Sequence, residues 1–343
     1  MSNLPSNRIQ FGLGGMLQFW KTVRSLSVRE ISAEAERPVH VACVGSPADV
    51  DGLMRRLAVE SVGGTVDETR AIVGPTDVRA YVGVYSRAID APASSVIVDA
   101  SMINFGEEQL AARLARIVME RPEIRLSLAR HVPAFRPAVA VQLVNEFSWV
   151  NAKIAVLSAL PGIIPLTDFL LPATSLGDMM LLTKNQVILL LRIAAAYGLP
   201  VDLRARTREL VPVVGGAFGW RAIARELIGL VPGGIGLVVK GAVAYAGTYT
   251  VGKAAAIYYS TGQSLTKPRL KRLYLDAYRS AGERLKGLWR RGKSPKDLAA
   301  AIGSNDLVAQ SSMSGIEVSL SAGVDSKSNE FVQPLDKQVK IGV

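Results

Sequence analysis

Apolar and polar positions along the chain change their period several times, and each change predicts a different element. Over residues 11–29, FGLGGMLQFWKTVRSLSVR, the residues Leu13, Met16, Leu17, Trp20 and Val23 fall on one helical face. Lys21, Arg24 and Arg29 lie beside that stripe. The pattern predicts an amphipathic helix within 1–37, either packed on its own protein or lying in a membrane interface. Residues 39–105 switch to short apolar runs. VHVACVG, VRAYVGVYS and SSVIVDAS read as strands, and DVDGLMRRLAVE reads as a helix. That order predicts a small α/β domain over 38–105. Residues 107–131 are helical, with Pro122 starting a second helix, and a long helical pattern follows over 137–160.

From 151 to 262 the pattern becomes apolar, rich in Gly and Pro and poor in charge. IAVLSALPGIIPLT at 154–167 holds fourteen uncharged residues, broken by Pro161 and Pro165. LIGLVPGGIGLVVKGAVAYAGTYTVG at 227–252 carries one charge, Lys240, in twenty-six residues. Its seven glycines include Gly229-x-x-x-Gly233, a spacing that lets helices approach closely. The reading is a bundle of two hydrophobic helical hairpins, turning at Pro161 and near Pro232, within a helical domain at 106–262. Such runs fit a bilayer span, a re-entrant hairpin or a compact core alike. A basic helix over 263–302 follows, and the Ser- and Gly-rich tail at 303–343 has the composition of a disordered segment.

The α/β segment raises a question about chemistry. In VACVGSPADVDGLMRRL at 41–57, an apolar run ends in Gly45 and a helical pattern begins, the layout of a phosphate loop. Such a loop needs glycines, so that backbone N–H groups converge on the anion, a Lys against its charge, and a Ser or Thr for magnesium. Counting from Gly45, the second Gly position holds Val50, the Lys position Asp51 and the hydroxyl position Gly52. Sliding the register onto Gly52 places Leu53 and Met54 there instead. No cation is present in either register, and Asp49 and Asp51 repel a phosphate. Gly45 and Gly52 therefore mark a relic loop whose Asp residues are expected to cap the helix. Asp99-Ala100-Ser101-Met102 lacks the Gly of a magnesium-sensing Asp-x-x-Gly, and TKNQ at 183–186 lacks the Asp that reads guanine. No nucleotide, metal or other cofactor is expected. The two histidines, His40 and His131, have no partners at metal-ligand spacing.

Composition narrows the partners. Forty Lys and Arg against twenty-nine Asp and Glu give a net charge of +11 over 343 residues, which favours an anionic surface. Aromatics are 6% and scattered, too few for base stacking, while 49% of residues are hydrophobic. The balance points to membrane lipid and away from nucleic acid. The excess is concentrated at 262–297, where eleven Lys and Arg face three carboxylates. Lys267, Arg269, Lys271, Arg272, Arg290 and Arg291 are the candidate lipid-facing cations. The single Cys43 lies inside a strand pattern and is expected to be buried. No secretory leader pattern is read at the start.

Several polar residues interrupt the apolar helices: Asn151, Asp178, Thr183, Asn185, Gln186, Arg221, Arg225 and Glu226. Buried polar groups need partners, so these are candidates for an interhelical polar site. The strings NAKIAVLSALPGIIPLTD, LGDMMLLTKNQVILLLRIAAAYGLP, GWRAIARELIGLVPG and AVAYAGTYTVGKAAAIYYSTG, in this order, resemble the helical domain of YcjF-like bacterial proteins. In that family the domain follows or accompanies an Era-like GTPase domain. The resemblance implies an all-α, membrane-associated module working near a GTPase, and it brings no catalytic residue with it. The chain thus reads as a degenerate P-loop or Rossmann-like α/β domain followed by a helical-hairpin bundle. The expected function is a non-catalytic adaptor or scaffold on the cytoplasmic side of the membrane, peripheral or integral, with a GTPase or a second copy as partner. An atypical, weak GTP-binding protein and a soluble protein-binding bundle are the alternatives.

Overall fold

A computed structural model describes residues 28–57, 69–72, 80–158, 174–202, 206, 235–292 and 294–302. The amino-terminal stripe from Leu13 to Val23, the turns at Pro161 and Pro232, Arg221, Arg225, Glu226 and the tail beyond 302 lie outside the described residues.

The chain is α/β first and helical afterwards, as the change of period predicts. Helix α1 (Val28–Ala35) precedes β1 (Val39–Val44), α2 (Pro47–Arg56), β2 (Thr69–Ile72), β3 (Ala80–Tyr85) and β4 (Val96–Asp99). The strands form one sheet in the order β2-β3-β1-β4. Strand β1 pairs in parallel with β3 on one side, with Val41 opposite Val82, and with β4 on the other, with Val41 opposite Val96. Strand β2 is antiparallel to β3. The apolar runs announce β1, β3 and β4. TRAI of β2 does not, because it is four residues long and begins with two polar ones.

Helices α3 (Glu107–Glu120), α4 (Arg125–His131), α5 (Arg136–Leu157), α6 (Thr174–Ala196), α7 (Ile235–Thr261), α8 (Lys267–Gly292) and α9 (Pro295–Ile302) follow. Pro137 stands in the first turn of α5, where its missing N–H costs nothing. The basic segment is two helices rather than one, because Ser294 begins a new cap. Its Oγ accepts from Asp297 N at 3.1 Å, and α9 folds back against α5 and α8.

Helix α7 is apolar or small around most of its circumference, which is the pattern of a helix enclosed on several sides. It packs against α5, α6 and α8. Glycine sets how near the neighbours come. A Cβ at Gly252 would lie 2.7 Å from Val144 Cγ2 and 2.9 Å from Leu189 Cδ2. Helix α8 is amphipathic in the ordinary sense: Tyr274, Ala277, Ala281 and Leu285 are buried at helical spacing. Among the described residues no helix is both long and apolar enough to cross a membrane.

One hydrophobic cluster runs from Ile31 and Val41 through Leu114, Leu128 and Leu143 to Leu189 and Ala255. It joins the sheet to the helices without a gap. Polar contacts reinforce the junction. Arg192 of α6 pairs with Glu34 of α1 at 2.8 Å, and Ser127 Oγ donates to the carbonyl of Arg37. Between α4 and α5, Arg125 forms a bidentate pair with Glu146 at 2.6 Å, and Gln142 Nε2 donates to the same carboxylate at 2.8 Å. Buried charge is tolerable there because the two opposite charges are paired through two short hydrogen bonds.

Two glycines of α7 should respond to substitution with opposite signs. Gly252→Val should lower stability by about 2 kcal/mol or more through overpacking against Val144 and Leu189. Gly247, where an added methyl group would have no atom within 4 Å, should gain about 0.5–1 kcal/mol on replacement by Ala through helix propensity. Urea denaturation of the two variants measures both.

Candidate functional site

In an open sheet, ligands bind outside the carboxyl ends of the strands where the strand order reverses. Here β1 lies between β3 and β4, so that crevice falls at Gly45 after β1 and Asp99 at the end of β4. The chain fills it with its own residues. A 3-10 turn, Ala100–Phe105, packs across the loop. A Cβ at Gly45 would meet Ala100 Cβ at 2.9 Å, and one at Gly52 would meet Ile103 Cδ1 at 2.7 Å. Gly45 also has φ +154°, which side chains rarely adopt. Both glycines are thus explained by close packing of protein on protein.

The donors and charges of the loop are committed in the same way. Gly45 N donates to Tyr85 O at 3.1 Å. Ser46 caps α2: its Oγ accepts from Asp49 N at 3.3 Å and donates to Asp49 Oδ2 at 2.7 Å. The cap is therefore a serine with Asp49 completing a reciprocal pair, where the sequence pattern suggested the aspartates themselves. Asn104 Nδ2 reaches Asp49 Oδ1 at 3.4 Å and ties the 3-10 turn to α2. Asp99 caps that turn, accepting from Ser101 N at 2.9 Å and from Ser101 Oγ at 2.7 Å. Asp49 and Asp99 set negative charge at the place where a phosphate would need positive charge.

Two further groups belong to the sheet. Cys43 is buried with its Sγ 3.8 Å from Met54 Sδ, and burial pushes its thiol up to about 12, which makes it a packing residue. His40 bridges the start of β1 to its neighbours, with Nδ1 2.6 Å from Ser95 Oγ and Nε2 3.4 Å from Tyr85 OH. Burial holds its pKa below the ordinary histidine value. Among the described residues no group of three His, Cys, Asp or Glu is placed to hold a metal ion.

The polar residues of the helical part do converge. Asn151 Nδ2 donates to Thr248 Oγ1 at 2.8 Å and to Leu182 O at 3.3 Å. Asn185 Nδ2 donates to Asn151 Oδ1 at 2.8 Å, and Gln186 Nε2 donates to Thr248 Oγ1 at 3.3 Å. Thr248 Oγ1 in turn donates to Ala244 O at 2.9 Å. Three helices, α5, α6 and α7, meet at this network, and Asn151 and Thr248 are fully buried. Thr183 is buried one turn away on α6. The TKNQ string therefore lies within helix α6, with Thr183 and Gln186 buried, and none of its residues is in a loop. Asp178 lies on α6, and its side chain is outside the described residues. Sequence reading missed Thr248, because a Thr in a run of Ala, Gly and Tyr carries no sign of what it faces. The network holds amides and a hydroxyl and no acid–base pair, so its chemistry is registration of helices.

Of the cations expected to face lipid, Lys267, Lys271, Arg272, Arg290 and Arg291 are exposed on α8, and Arg269 is half-buried. Arg279 and Lys286, also exposed, join them. Arg284 turns toward the core side, close enough to act on Tyr245.

Asn151→Ala should destabilise the protein by about 2–3 kcal/mol, since it strands the Asn185 amide and disrupts the Thr248 contact in a buried setting. Gln186→Ala, removing a longer contact at 3.3 Å, should cost less. Denaturant midpoints of the two variants test the order.

In comparisons with protein-family models, with curated proteins and with solved structures, nothing matches this chain.

Proposed function

We propose that this protein is a non-catalytic adaptor or scaffold that rests on the cytoplasmic face of an anionic membrane within a GTPase-linked system. Its α/β part is read as a phosphate-loop fold without a ligand. The observation that carries the proposal is the packing of Ala100 on Gly45 and of Ile103 on Gly52, which occupies the crevice with protein. The committed amide of Gly45 and the carboxylates of Asp49 and Asp99 support the same reading. The resemblance of the four strings between 151 and 262 to YcjF-like helical domains supports the link to a GTPase. The exposed cations of α8 support membrane contact through a surface helix. Because α7 is enclosed by α5, α6 and α8, the contact is read as peripheral.

Two measurements test the proposal. Titration calorimetry with GTP or ATP and magnesium should give no saturable heat, and micromolar binding of either nucleotide overturns the non-catalytic reading. Sedimentation with phosphatidylserine-containing vesicles should retain the protein at about 0.05 M salt and release most of it at about 0.5 M, as screening shortens the reach of the α8 charges. Retention that resists salt and yields only to detergent contradicts the peripheral contact. Absence of binding at low salt contradicts membrane association.

A further inference from the structure

Helix α8 turns Tyr274, Ala277, Ala281 and Leu285 inward. On the opposite face, Arg272, Leu275, Arg279, Lys286 and Arg290 recur at helical spacing and are all exposed, with one exposed carboxylate, Glu283, between Arg279 and Lys286. Lys271 stands beside Leu275 on the preceding turn. Leu275 is 44% exposed, which makes it one of the few large apolar side chains turned to solvent among the described residues. A lone exposed leucine needs no explanation. This one is bracketed by Lys271, Arg272 and Arg279, and on that flank the carboxylate of Asp276 meets Arg279 only at 3.8 Å in an exposed pair. Lys271, Arg272, Lys286 and Arg290 make no ion pair among the described residues.

We infer that Leu275 is the acyl-chain anchor of a flat membrane contact, inserting below the headgroups while the surrounding α8 cations hold the phosphates. The inference rests on the membrane reading above and narrows it to one helix face and one penetrating side chain. Charge alone suits any polyanion, a nucleic acid as well as a bilayer. An apolar side chain set among the cations favours the bilayer, because only the bilayer offers hydrocarbon directly beneath a layer of phosphate. The buried face of α8 stays on α7, so the helix lies parallel to the surface and no core residue need be exposed. Arginine and lysine stems also cover apolar ground while their heads stay with the phosphates.

The experiment uses the full chain and vesicles of phosphatidylcholine with or without phosphatidylserine. Leu275→Ala should weaken binding to the anionic vesicles about tenfold while leaving the salt dependence unchanged. Arg279→Gln with Lys286→Gln should weaken it roughly fivefold for each cation removed and flatten the salt dependence. All three sites are exposed, so thermal unfolding should match the parent protein. A polarity-sensitive fluorophore on Leu275→Cys should shift to the blue with anionic vesicles, and buried Cys43 leaves the new thiol as the reactive one. If Leu275→Ala binds like the parent and the label does not shift, while the charge variant is weakened, the anchor is wrong and the electrostatic contact stands. If the parent binds vesicles but neither variant differs from it, α8 is not the contact and the membrane reading of this helix fails. Tighter binding to an oligonucleotide than to vesicles, lost in the charge variant and unaffected by Leu275→Ala, identifies a nucleic-acid surface and overturns the inference.

Discussion

Helix α7 is held on several sides at once, and the rest of the helical part depends on how that is achieved. Apolar burial draws helices together without fixing their register, since leucine against leucine is satisfied in many alignments. Two features of α7 remove that freedom. Gly252 lets Val144 and Leu189 approach to distances at which a methyl group would collide. Thr248 supplies a hydroxyl to Asn151 and Gln186 in a buried setting, where a slipped alignment leaves amides without partners. Shape and hydrogen bonding thus select the same packing. Tyr245 adds a further tie, packing on Trp149 with ring centroids 4.5 Å apart at a tilt of 54° and donating to Asn145 Oδ1 at 3.2 Å.

The same economy of space governs the sheet. A strand, a glycine turn and a capped helix make the scaffold on which phosphate sites are built, and here all three parts are present. What makes such a scaffold a binding site is an unfilled volume lined by free amides and a cation. Ala100 and Ile103 take the volume, Tyr85 takes the Gly45 amide, and Asp49 stands where charge of the other sign is required. Packing and electrostatics thus act together in this crevice. The continuous core from Val41 to Ala255 fastens the α/β part to the bundle by hydrophobic contact, and the Glu34–Arg192 pair adds to it.

Charge is concentrated on α8, while α7 is mostly apolar. The part of the apolar stretch that lies within α7 is spent on the interior, with Ala246 and Ala242 buried among neighbouring helices. The cations lie on α8, outside that interior, where solvent or an anionic surface can reach them. The residues of α8 that pack inward, Tyr274, Ala277, Ala281 and Leu285, are distinct from those that carry its exposed charge.

Much of the layout was legible in the chain itself. Short apolar runs placed β1, β3 and β4, and helical patterns placed α3, α4, α5 and α8. Asn151, Asn185 and Gln186 declared themselves as polar residues in apolar helices, because a buried amide must find a partner. Only the tertiary structure decided the rest. Thr248 became a partner because three helices converge on it, and Gly45 and Gly52 acquired a purpose when Ala100 and Ile103 arrived from fifty residues away in sequence. The run at 227–252 left span and core undecided, because an apolar helix has the same sequence in either solvent. For the part within α7, the packing of α5, α6 and α8 around it made it a core helix. Local pattern records what each residue prefers, whereas the neighbour that satisfies the preference is a property of the fold.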